Sequence, residues 1–218
     1  MWMDLCLIAV LLFSIIDGFK KGLIKALVHF AGWIAAAFFA MKAYPVVAHY
    51  MTASSKIYSS INEKISDKLM VQTGTQPGTA DALSNFKLPG VIQQTITHAI
   101  SSSENMIAGT ASELIAKVCI NIISLIIVFV AVKIVISIVA AGIGRVGKLP
   151  VLKQCDQLAG SVVGFIKGFM IIFIILAVMV PAMSIMKDDF LIKSLRSAPL
   201  TEYFYDHNLL FIVVKDYI

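Results

Sequence analysis

Charge is scarce in this chain. Aspartate, glutamate, lysine and arginine make up 14% of its 218 residues, against about a quarter in soluble domains, and 59% are hydrophobic. Mean hydropathy is +0.88, more than the core of a soluble domain this size requires, so the chain reads as an integral membrane protein. Cysteine is sparse too: Cys6, Cys119 and Cys155 show no metal-ligand spacing. A disulfide between Cys6 and Cys119, which fall at similar depth, is an open alternative. His29, His49, His98 and His207 stand apart from carboxylates and cysteines, and each reads as a packed or interfacial histidine rather than a ligand or base. No Walker loop, dinucleotide fingerprint or nucleophile elbow occurs. The expectation is a protein that is not an enzyme, with no catalytic, cofactor-binding or metal site. A net charge of +5 does not point to nucleic acid, because the lysines neither cluster in a run nor interleave with surface aromatics.

What the chain does have is long apolar segments. Met1 to Ile16 is almost uninterrupted, and it reads as a retained first helix because it lacks the cationic start and small-residue cleavage site of a signal peptide. Leu23 to Tyr44 follows after a tight turn, which predicts an antiparallel hairpin ending at Pro45. Val118 to about Ile143 and Asp156 to Pro181 are the third and fourth runs. The expected fold is an all-α integral membrane protein with four transmembrane helices arranged as two helical hairpins, residues 1–44 and 118–182. Between them lies a polar, extracytoplasmic insertion, residues 45–117, with a loop expected over Gln72 to Asp81. Its periodic stretches, Val91 to Ile100 and Met106 to Ile115, predict amphipathic helices. An amphipathic tail, residues 183–218, contains a helix start at Pro199.

Within the fourth run, Gly160, Gly164 and Gly168 stand four residues apart. Residues so spaced share one helix face, and without side chains another backbone can approach closely. Gly18, Gly22 and Ala26 repeat the device, and GFKKGL in the first half answers GFIKGF in the second. Whether the stripes meet within one chain or across two copies is open at this level. Asp17 and Asp156 precede the second and fourth helices as candidate caps.

Lys133 is the one charge inside the third run. It is either a head-group-seeking residue on the face shared with Ser137, Ala141, Arg145 and Lys148, or part of a polar path with Ser137. Lys20, Lys21 and Lys25 in one short link, and Arg145, Lys148 and Lys153 in the other, predict that both turns are cytoplasmic. Both termini and the insertion then face outward.

Three stretches carry a family resemblance: MDLCLIAVLLFSIIDGFKKGLIKAL, KLPVLKQCDQLAGSVVGFIKGF and SAPLTEYFYDHNLL. They resemble the colicin V production (CvpA) family of bacterial inner-membrane proteins, over most of the chain except part of Thr52 to Ser103. The resemblance implies a small four-helix membrane protein of the bacterial cytoplasmic membrane, linked to toxin (bacteriocin) production and envelope homeostasis, and brings no catalytic residues. The insertion departs from shorter members. Two functions follow as expectations: an accessory or scaffold binding a membrane-protein partner or itself within the lipid bilayer, or a small oligomeric channel or transporter using Lys133 and Ser137.

Overall fold

The computed structural model describes residues 2–73, 88–101, 109–142, 153–185 and 190–211. All elements among them are helices: α1 (Trp2–Ala53), α2 (Ser55–Thr73), α3 (Gly90–Ser101), α4 (Gly109–Gly142), α5 (Lys153–Ile185), α6 (Phe190–Arg196) and α7 (Pro199–Asp206). Three of these, α1, α4 and α5, are long and apolar enough to cross a membrane. Their outward faces carry large apolar side chains such as Phe13, Phe38, Val46, Ile138 and Val162, which suit contact with lipid.

α1 is not a uniform rod. Gly22 leaves the helical region with φ 75° and ψ 169°, dividing α1 into residues 2–21 and 23–53. A side chain rarely adopts that φ, whereas glycine does so without a Cβ penalty. α1 packs most extensively on α5 and next on α4. Its buried positions recur about every four residues: Ser14, Gly18, Gly22 and Ala26 run across the break, and Ala36, Ala40, Tyr44 and Ala48 follow beyond it. Small residues at that spacing let helices approach closely in lipid.

Several helix boundaries differ from the expectation: α2 runs to Thr73, into the expected loop, and α5 extends from Lys153 to Ile185 with Pro181 inside it. Pro45 does not end its helix but lies inside α1. Proline removes the hydrogen bond to the carbonyl four residues back and crowds that carbonyl, and a membrane helix tolerates this where neighbours re-satisfy the backbone. Leu114 and Ile115 do not belong to a separate surface helix. They are buried in the first turns of α4, which runs on into the apolar segment because neither glycine nor proline intervenes before Val118. The rest of the expected Gln72 to Asp81 loop, residues 74–81, and Met106, Ile107, Arg145, Lys148 and Pro150, lie outside the described residues.

A core of buried side chains lies where the insertion and tail helices meet the bundle. Tyr44 of α1, Ile65 of α2, Ile92 and Ile96 of α3, Ile115 of α4 and Leu176 of α5 are almost wholly buried there, with Tyr205 and Phe211 of the tail. Ile92 and Ile96 lie on the periodic face that the sequence predicts for α3. Polar ties pin these parts. Lys68 of α2 donates to the Met183 carbonyl at 2.5 Å, supplying a cation and a donor where the last carbonyls of α5 lack helix partners. In the tail, Asp4 Oδ1 accepts from both the Thr201 backbone N–H (2.9 Å) and its hydroxyl (2.7 Å). Trp2 donates to Ser194 Oγ at 3.2 Å and stacks on Phe190. Asn208 is buried and donates to the Phe173 carbonyl at 2.7 Å. Cys6, Cys119 and Cys155 are free thiols, Cys119 buried and Cys6 exposed, so the Cys6 to Cys119 disulfide does not form.

Candidate functional site

The two glycine stripes meet each other within one chain. A Cβ added to Gly18 would overlap the Gly160 carbonyl and stand 2.9 Å from Gly164 Cα; one added to Gly160 would stand 2.7 Å from the Gly22 carbonyl carbon. A Cβ on Gly164 would overlap the Ser14 carbonyl oxygen, and one on Gly168 would lie 3.2 Å from Ser14 Cβ. Backbone therefore lies against backbone from Ser14 to Gly22, an approach that only glycine permits on α5. Ala26 is buried on the same side of α1.

The two acidic residues act differently from the caps expected of them. Asp156 lies inside the first turn of α5, and its Oδ1 accepts the backbone N–H of Leu23 at 2.9 Å. It thus caps residues 23–53 of α1, whose helix restarts after Gly22 with free N–H groups, rather than α5. The carboxylate sits at the positive ends of two helices at once. Its Oδ2 also occupies the space a Gly22 side chain would need. Asp17 caps nothing in the structure because it stands mid-helix; it accepts from Lys21 at 2.7 Å and Lys167 at 3.0 Å. The pair with Lys167 joins α1 to α5 beside the glycine contact.

Lys133 and Ser137 stand one turn apart on α4. The Ser137 hydroxyl donates to the Lys133 carbonyl at 2.8 Å within α4, and its side chain is exposed. Lys133 Nζ instead lies 5.1 Å from the centre of the Trp33 ring, within cation–π range. Lys167 Nζ lies 5.9 Å from the same ring. Trp33 in turn packs on Phe129 with ring centres 5.4 Å apart. Among the described residues no group of three His, Cys, Asp or Glu side chains could hold a metal ion.

Several of these residues escaped the sequence reading. Lys167 lies in the GFIKGF motif, but a lysine between glycines carries no sign that a distant aspartate faces it. The alanines at 36, 40 and 48 were findable, since small residues four apart are the same signal as the glycines.

Comparison with known proteins decides the family. The model for "Colicin V production protein" matches residues 3–84 and 92–206, most of the chain. The chain belongs to the colicin V production family. A relative in Bacillus subtilis, "Uncharacterized transmembrane protein YshB", is 34% identical over 58 residues, covering 27% of this chain and 33% of the relative. The match therefore spans about a third of that relative's length. No solved structure matches this member of the colicin V production family.

Proposed function

We propose that this chain is a non-enzymatic accessory or scaffold protein of the bacterial cytoplasmic membrane that supports toxin production by binding a membrane-protein partner. Membership of the colicin V production family supplies the toxin-production context. The observation that carries the scaffold reading is the glycine contact between α1 and α5: backbone packing, with charge pairs and a helix cap beside it, is the construction of a rigid frame. Exposed apolar faces, with Phe13 at 74% and Val46 at 72% accessible, leave room for lipid and a partner helix. The same reading extends to envelope homeostasis through the family resemblance.

Four spans arranged as two hairpins fit this frame. A straight helix of 52 residues would be roughly 78 Å long against a hydrocarbon core of about 30 Å. Leu11 and Ser14, before Gly22, meet Gly168; Trp33, after it, lies beside Lys167. Residues on both sides of Gly22 thus approach the same stretch of α5, as a turn at Gly22 requires. Basic residues near that turn, Lys20, Lys21 and Lys25, favour a cytoplasmic turn with both termini outside. A reporter fused near Gln76, outside the described residues, tests this orientation; activity only on the cytoplasmic side overturns it.

The function is tested by affinity capture of the full chain from native membranes, combined with toxin output in a deletion strain. Recovery of a membrane protein of the toxin pathway and reduced output are expected. A chain captured alone and unchanged output reject the proposal. The channel alternative, with Lys133 and Ser137 on a polar path, is rejected if Lys133→Leu leaves conductance and solute sensitivity unchanged.

A further inference from the structure

Charges do not balance beside the glycine contact. Asp17 is one carboxylate shared by two ammonium groups, Lys21 and Lys167. Lys133 brings a third ammonium group to the Trp33 ring that Lys167 also approaches, and no carboxylate pairs with it among the described residues. Lys133 and Lys167 gather at the Trp33 ring, leaving an excess of positive charge on segments long and apolar enough to lie in a membrane. Such intramembrane charge is costly unless something of opposite sign comes to it.

An apolar groove of about 310 Å³ begins one helical turn away, between α1, α4 and α5. Short steps along each helix join the two features: Trp33 to Ala37 on α1, Lys133 to Phe129 on α4, Lys167 to Met170 on α5. Ala37, Phe129 and Met170 line the groove, and Phe129 also packs on Trp33, so the aromatic pair forms the junction. Leu209 and Leu210 line it from the tail, and every lining side chain is apolar. Its α5 wall, from Ile166 to Ile174, runs about 12 Å along the helix, close to half of a ~30 Å hydrocarbon core and hence to the reach of one leaflet's acyl chain.

We propose that the lysine cluster and this groove together bind one anionic phospholipid, with its phosphate beside Lys133 and Lys167 and an acyl chain in the groove. Charge selects the lipid class. A zwitterionic head group would bring another cation to a site already in positive excess, whereas an anionic one supplies the missing negative charge. The groove selects a lipid over a free anion, because a phosphate ion alone would leave the apolar walls unfilled.

The full chain, purified in detergent, is titrated with phosphatidylglycerol and with phosphatidylcholine of the same chain length, reading bound lipid by native mass spectrometry and thermal unfolding in parallel. Phosphatidylglycerol is expected to bind and raise the midpoint, and phosphatidylcholine to do so far less. Lys133→Gln should weaken phosphatidylglycerol binding about five-fold, the effect of one lysine at an anionic surface, and Lys133→Arg should restore it. Ala37→Phe, which fills the groove without touching charge, should abolish lipid binding while helix content stays the same. Equal binding of the two lipids, or no loss in Lys133→Gln, overturns the proposal. So does displacement of the lipid by inorganic phosphate at comparable concentration, which would mark an anion site with no acyl contribution.

Discussion

Asp156 and Leu23, 133 residues apart, are joined by a 2.9 Å hydrogen bond from the Leu23 N–H to the Asp156 carboxylate. The bond closes the helix that restarts after Gly22 with an oxygen from a different helix. Asp156→Ala leaves that N–H without its acceptor and removes a favourable charge at two helix ends, a loss of about 1–2 kcal/mol. Asp156→Asn keeps an acceptor and should lose less. Thermal unfolding in detergent checks the order: parent, then Asn, then Ala. An Ala variant as stable as the parent would remove the cap from the account.

Gly22→Ala meets two obstacles, a positive φ and the Asp156 carboxylate in the Cβ position. Either alone costs on the order of 1 kcal/mol or more, so this change should destabilise more than Asp156→Ala does. Gly90→Ala provides the control, since a Cβ there meets nothing within 4 Å. The comparison is again one of unfolding midpoints.

Gly164→Leu places a side chain against the Ser14 carbonyl and Gly18 Cα. Backbone cannot yield as a flexible side chain does, so the helices must separate, and overpacking of this kind costs about 1–3 kcal/mol even in softer cores. The unfolding midpoint in detergent should fall in Gly164→Leu relative to the parent. An unchanged midpoint and normal toxin output would show that close backbone contact is dispensable.

Asp17 and Lys167 should be coupled. Asp17→Asn leaves Lys21 and Lys167 facing each other without their shared carboxylate, and the half-buried setting limits the loss to about 1–2 kcal/mol. Adding Lys167→Gln should recover part of that loss, because the second change removes the stranded charge. A double-mutant cycle measures the coupling. Strict additivity would mean that the ion pair contributes nothing.

Much of this architecture is legible in the sequence because the spacing of small residues reports a helix face directly. The faces bearing Gly18 and Gly160 are visible that way, but not their pairing, since glycine spacing says nothing about which helix comes to meet it. Asp156 illustrates the limit more sharply. Position before an apolar run predicts a local cap, and only the folded chain shows that the nearest unsatisfied N–H belongs to Leu23. Pro45 misleads because a rule drawn from helix stops ignores what lipid tolerates. Lys133 was conspicuous as a charge among apolar residues, whereas its neighbours Trp33 and Lys167 come from helices 100 residues upstream and 34 downstream in the chain.

The bonds from Thr201 to Asp4 span 197 residues. During synthesis the aspartate is therefore made long before its donors exist. Every chain halted short of residue 201 carries the Asp4 carboxylate with those two donors missing, and it gains them only when the tail arrives. Completion of translation and closure of the bundle are thereby tied to the same contact, and an unfinished chain differs chemically from a finished one in a way that a membrane protease or chaperone could read.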